Sequence, residues 1–210
     1  MTDETGDTTP KSRPFRLAPQ HAYIALGANL GSPNKKLIDT IDAIDQRIGR
    51  VIRVSSFYLT TPLTEGPAEE GSYPNYVNAV IICASPYTPE DTFHRLMQVE
   101  KEMGRTRSSG KKRWEARIID IDLLAMGERG ISSKQLTLPH PCIASRDFVL
   151  YPLREIEPAF VHPVTLKSVD QMIFEYHARG LPLRIISRAE PLSLPGFIRS
   201  SEDIFPETFH

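Results

Sequence analysis

Cysteine is scarce in this chain: Cys83 and Cys142 stand far apart, and neither belongs to a CxxC pair. That excludes a zinc ribbon or a disulfide framework and leaves two reduced thiols as the expectation. Long apolar runs are also missing. None approaches the roughly 20 residues that a membrane-spanning helix needs. The opening MTDETGDTTPKSRP is too polar and acidic for a secretory signal, so the expected location is cytoplasmic. Neither sign of charge is in excess, since 25 Lys and Arg oppose 26 Asp and Glu, and no general attraction to nucleic acid follows from a net charge of -1. Apolar residues at 40% and charged residues at 24% suit an ordinary globular chain with a sizeable core.

Within 210 residues the organisation reads as three parts. Residues 1–20 are rich in Thr, Asp, Pro and Lys without apolar periodicity, as a flexible leader would be. Residues 21–180 read as one domain, and the proline-punctuated 181–210 as an extended C-terminal arm. AYIALGA predicts a buried strand, and SPNKKLIDTIDAIDQRIG a helix with Leu37, Ile41, Ile44 and Ile48 facing inward. Ser32 is the expected cap of that helix, with Pro33 at its first position and Gly49 at its exit. VIRVSSFYLT predicts one strand, followed by a long Pro/Gly/Glu-rich loop from Thr61 to about Pro74. NYVNAVIICA predicts another strand, and TPEDTFHRLMQVEKEMG a helix capped by Thr88 with Phe93, Leu96, Val99 and Met103 inward. LTLPHPCIASRDFVLYPLREIEP, broken by prolines, predicts short irregular pieces, and a last helix is expected near Ser168 to Ala178. The order strand, helix, strand, strand, helix, strand predicts an α+β fold, a ferredoxin-like antiparallel sheet layered with helices.

RWEARIIDIDLL carries the chemistry. Strand alternation puts Asp120 and Asp122 on one face while Ile119, Ile121 and Leu123 take the other. Two carboxylates that close repel each other unless a cation compensates. Hard oxygen ligands without nearby Cys or His favour Mg²⁺, which takes one or two carboxylates and completes its shell with water and phosphate. An isolated Asp-x-Asp is more often the solvated face of an edge strand. Here Arg105, Arg107, Lys111, Lys112, Arg113 and Arg117 lead into it, a mixture that suits a metal-bound polyphosphate. Trp114 sits among these cations, either to close over a ligand or as a core anchor. GANLG lacks the Lys-Ser/Thr of a phosphate loop and reads as a tight strand-to-helix turn.

These residues, with YIALGANLG, SSFYLTTPL, NYVNA, GRTR, LTLPHP and SRDFVLYPL, resemble the 6-hydroxymethyl-7,8-dihydropterin pyrophosphokinase family from Ala22 to about Pro163. The resemblance implies transfer of the β,γ-pyrophosphoryl unit of ATP to the pterin hydroxymethyl group, releasing AMP, in tetrahydrofolate biosynthesis. It implies that Asp120 and Asp122 bind two Mg²⁺ ions, and that Arg105, Arg107, Trp114 and Arg117 close over ATP, with the three arginines and both aspartates catalytic. Glu100, Thr137, His140 and Arg146 match positions near the nucleotide. Thr60, Leu63 and Asn78 match readers of the pterin's polar edge, and Tyr76 and Phe148 the aromatic pair that sandwiches its ring. The expected partners are these small molecules and, beyond them, other folate-pathway enzymes, with no nucleic acid and no membrane. Glu115 and Ala116 stand where the family usually has Gly-Pro, and Met97 where a glutamine often approaches the adenine.

Two other readings follow from the same residues. One is an RNA-binding ferredoxin-like module built on the basic segment and exposed aromatics, against which the paired carboxylates argue by repelling phosphate. The other is a relative that binds ATP or pterin without catalysis, with Glu115 as the cause.

Overall fold

Alternate residues of the AYIALGA segment bury on opposite sides because both faces of its sheet are covered. The computed structural model describes residues 18–63, 74–104, 118–128 and 130–189. Strand β1 (Gln20–Ala28) leads into helix α1 (Pro33–Arg47), then β2 (Arg50–Val54), β3 (Phe57–Thr60), β4 (Tyr76–Ser85), α2 (Pro89–Glu102) and β5 (Asp120–Met126). A small hairpin of β6 (Ile131–Ser132) and β7 (Thr137–Leu138) follows, then a 3-10 turn at Ile143–Ser145, α3 (Asp147–Ile156), α4 (Val169–Ala178) and β8 (Ile185–Ala189). The main sheet runs β5-β1-β4-β3-β8, with β2 also paired to β4, and every pairing is antiparallel. The β5-β1-β4-β2/β3 core has the strand order of the expected ferredoxin-like fold.

Helices α1 and α2 cover one face. Leu37, Ile41, Ile44, Ile48, Leu96 and Val99 pack there against Ile24, Leu26, Ile121 and Leu123. Phe93 and Met103 pack on the rim of the same cluster. Thr88 caps α2 by accepting from the Asp91 N–H at 3.1 Å. Ser32 occupies the cap position of α1 with Pro33 behind it, but its side chain makes no capping bond at φ -109° and ψ 81°. Gly49 leaves α1 against β4: a Cβ there would stand 2.9 Å from the Ala84 carbonyl carbon and 3.0 Å from Ser85 Cα, so only glycine fits.

The expected single strand VIRVSSFYLT is two. Ser55 and Ser56 interrupt it, and Ser55 bridges the gap by donating its N–H to Val80 O and accepting the Val80 N–H on its hydroxyl, each at 3.0 Å. The second face is covered as well, which the expectation of one helical layer did not include. Helices α3 and α4 bury Val149, Leu150, Leu153, Met172 and Tyr176 against Val80, Ile82, Leu124 and Ala125. The proline-rich stretch read as irregular pieces contains this whole helix α3, with Pro152 inside it. A mid-helix proline costs about 3 kcal/mol. Burying Val149, Leu150, Leu153 and Ile156 at roughly 1.5–3 kcal/mol each outweighs it. Helix α4 opens on a capping box between Ser168 and Gln171. Beyond Gly180, Ile185–Ala189 joins the sheet as its edge strand beside β3.

Candidate functional site

Directly opposed residues in antiparallel strands project from the same face, so the register locates the site. Asp120 opposes Gly27, Gly27 opposes Asn78, and Asn78 opposes Tyr58. One row further, Asp122 opposes Ala25, and at the other end Thr60 opposes Tyr76. Thr60, Tyr76, Asn78, Asp120 and Asp122 therefore share one face of four adjacent strands, the face that α3 covers further along.

Gly27 makes room in the middle of this row. A Cβ at that position would come within 2.8 Å of Asn78 Oδ1 and 4.0 Å of Tyr76 Cδ1. Asn78 is buried and its Nδ2 donates to Thr60 Oγ1 at 2.8 Å, which fixes the amide's orientation on this face. Leu63, half-buried, follows where β3 leaves the sheet.

Asp120 and Asp122 are both partly exposed, whereas Ile119, Ile121 and Leu123 between and beside them are buried. Arg146, the residue preceding α3, donates from Nη1 to Asp122 Oδ2 at 3.0 Å and carries its guanidinium 5.8 Å from the Phe148 ring centre. His140 follows a cis Leu138-Pro139 bond and donates its backbone N–H to Leu124 O at 2.7 Å, which brings it beside the carboxylates. Its imidazole pKa lies below the ordinary histidine value. Burial is the main cause, with Arg146 adding to it, while Asp122 and Asp120 pull the other way. Nδ1 accepts the Cys142 N–H at 3.1 Å, so the neutral ring carries its proton on Nε2 as a donor.

Glu100 is buried on α2, and its Oε1 accepts the Ile121 N–H at 2.9 Å, between the two aspartates. It thus braces β5 from the α2 side. Thr137 lies exposed on β7. Arg105, Arg107, Trp114 and Arg117 lie outside the described residues. The described residues that flank them, Gly104 and Ile118, lie close together: a side-chain atom of Ile118 is 3.6 Å from where a Cβ on Gly104 would stand.

The sequence reading missed three groups. Asp147, fully buried between Arg146 and Phe148, accepts on Oδ2 the backbone N–H groups of Arg184 at 2.5 Å and Ile185 at 3.2 Å. Glu155 accepts from Ser56 N–H, the Ser56 hydroxyl and the Tyr58 hydroxyl at 2.6–2.8 Å, which anchors α3 to β3. Asn29 donates from Nδ2 to Pro74 O at 3.2 Å, at the start of β4. Acidic residues in a helical pattern carry no sign of distant partners, and only the SRDF motif hinted at Asp147.

Among the described residues no group of three or more His, Cys, Asp or Glu converges to hold a metal. Two carboxylates on an open face, with water and phosphate to complete the shell, are a usual Mg²⁺ arrangement, so the donor set fits that ion.

The family model described as 7,8-dihydro-6-hydroxymethylpterin-pyrophosphokinase matches residues 23–158. The chain belongs to this pyrophosphokinase family. It is 38% identical to the 2-amino-4-hydroxy-6-hydroxymethyldihydropteridine pyrophosphokinase of Haemophilus influenzae over 68% of its own length and 84% of that protein. It is 36% identical to the protein of the same name from Porphyromonas gingivalis, over 67% and 92%. A Plasmodium falciparum HPPK-DHPS crystal structure shares the fold at TM-score 0.59 and 15% identity, over 77% of this chain. The chain spans only 45% of that longer protein. No described helix of this pyrophosphokinase-family chain is long and apolar enough to cross a membrane.

Proposed function

We propose that this chain transfers the β,γ-pyrophosphoryl unit of ATP to the hydroxymethyl group of 6-hydroxymethyl-7,8-dihydropterin and releases AMP, a step of tetrahydrofolate biosynthesis. The observation that carries the reading is the shared sheet face: Asp120 and Asp122, both partly exposed, lie on the same side of the sheet as Gly27, Asn78 and Thr60. One end suits a charged phosphate chain and the other a flat polar heterocycle.

Asn78 and Thr60, fixed by their mutual hydrogen bond, and the backbone near Leu63 read the pterin's polar edge. Tyr76 on β4 and Phe148 on α3 supply aromatic faces for the ring. Asp120 and Asp122 would hold two Mg²⁺ ions, and the chemistry these ions would supply is neutralisation of the phosphate charge. Arg146 is held near by Asp122, and His140 presents its Nε2–H without adding charge. Glu100 keeps β5 in place, and in this reading Thr137, Arg105, Arg107, Trp114 and Arg117 serve the nucleotide, which the resemblance of their motifs supports. The pterin oxygen gains a bond to the β-phosphorus, the bond from that phosphorus to the α,β-bridging oxygen breaks so that this oxygen leaves on AMP, and the hydroxyl proton passes to solvent. Other folate-pathway enzymes remain the proposed protein neighbours.

Incubation with ATP, Mg²⁺ and the hydroxymethyl-dihydropterin should yield AMP and the pterin pyrophosphate. Formation of ADP, or no pterin-dependent turnover, would overturn the assignment. Asp120→Asn and Asp122→Asn should each retain the wild-type circular dichroism and lose about 10²-fold or more in kcat. RNA binding that survived these substitutions without Mg²⁺ would favour the RNA-binding alternative.

A further inference from the structure

We infer that Arg184, which lies outside the residues matched by the family model, is a positioning residue for the pterin end of the site. The inference rests on the pyrophosphokinase reading above. Its ground is that a single dipeptide, Arg184-Ile185, is bonded both to the start of α3 and to the end of β3. On one side, Arg184 and Ile185 donate their backbone N–H groups to Asp147, in the turn of α3 that carries Arg146 and Phe148. On the other side, Arg184 O accepts the Thr61 N–H at 2.9 Å, and Arg184 Nη1 donates to Pro62 O at 2.6 Å. The Tyr176 hydroxyl donates to Pro182 O at 2.6 Å and fixes the approach to this dipeptide.

Backbone and side chain divide the work. The β3–β8 ladder, with Thr60 opposite Ile185, and the bonds to Asp147 and Thr61 use only main-chain atoms of Arg184. Its guanidinium instead reaches past the end of the ladder to the Pro62 carbonyl, where β3 has ended and the chain turns toward Leu63. Proline offers no N–H, so its carbonyl is the one backbone hydrogen-bonding group Pro62 supplies. A cationic donor on that carbonyl fixes the peptide plane between Pro62 and Leu63, and with it the direction of the Leu63 N–H. The side chain therefore orients the pterin-reading backbone, while the strand itself is held independently.

Arg184→Met keeps the aliphatic stem and removes the donor. Losing one charge-assisted hydrogen bond should raise the pterin KM about tenfold. The ATP KM and the melting temperature should stay at wild-type values, and the backbone N–H of Leu63 should exchange faster with deuterium. Arg184→Lys, which retains a cationic donor, should recover part of the pterin KM. An unchanged pterin KM in Arg184→Met, or pterin and ATP KM rising together with a lower melting temperature, would overturn the inference while leaving the activity standing. Wild-type protein without pterin turnover would instead overturn the pyrophosphokinase reading, and this inference with it.

Discussion

Gly27 and Gly49 are both intolerant of a side chain, for different reasons. At Gly49 the obstruction is the β4 backbone at Ala84 and Ser85, which cannot move without disturbing the ladder. At Gly27 it is the end of a side chain, the Asn78 carboxamide oxygen. Gly49→Ala should therefore lower stability by about 1–3 kcal/mol in urea unfolding. Gly27→Ala should unfold close to wild type but displace the Asn78 amide from Thr60, so that pterin KM rises while ATP KM holds. Equal stability losses in the two variants would contradict the distinction. At this scale the sequence was informative where alternation decided the outcome: Asp120 and Asp122 fall on the open face and Ile121 and Leu123 in the core, as their spacing requires. It was silent about Arg146 reaching Asp122, because the two are 24 residues apart and meet only through the docking of α3.

Besides its apolar contacts, α3 is tied to β3 through a buried carboxylate. Glu155 satisfies three donors from Ser56 and Tyr58 across the β2–β3 interruption, and the Tyr58 hydroxyl pKa is raised by burial and by that carboxylate. Glu155→Ala leaves those donors without their acceptor. At roughly 1–3 kcal/mol per unsatisfied buried group, a loss of about 3–5 kcal/mol is expected in urea unfolding. Glu155→Gln, which keeps one acceptor oxygen, should lose less. A loss below 1 kcal/mol in Glu155→Ala would show that water replaces the carboxylate. Helix α3 was hidden in the sequence because prolines signal local backbone cost, whereas its compensating gain comes from burial against Val80 and Leu124 on strands distant in the chain. The same limit hid the split of β2 from β3, since SS within a β-branched run looks permissible until β4 imposes its register. Helices α1 and α2 were legible because their apolar stripes repeat locally with helical period.

For the whole molecule, two helical layers leave Cys83 fully buried and Cys142 partly accessible. The Cys83 thiol lies against Gly49 O at 3.0 Å, and burial pushes its pKa up to about 12, with Asp45 beside it adding to the shift. Because the folded value lies above the model-compound 9.0, the neutral thiol's contribution to stability is complete below that pH. It fades as pH rises from there toward the folded value. Iodoacetamide at pH 8 should add a single label, at Cys142, to the folded protein and a second, at Cys83, only after unfolding, as read by peptide mass spectrometry. Rapid labelling of Cys83 in the native protein would show that the α1–β4 contact opens.

The sequence by itself determined the periodic elements, the two-sided strand β5 and the family, because each is written in residues close together along the chain. Tertiary structure alone decided that α3 covers the second sheet face, that Asp147 and Arg184 join the start of α3 to the end of β3, and that Asn78 bonds Thr60 next to Gly27. Those pairings bring together residues separated by as many as 122 positions. Such contacts become favourable only once sheet register and helix docking have supplied the chain closure, so no local pattern can encode them.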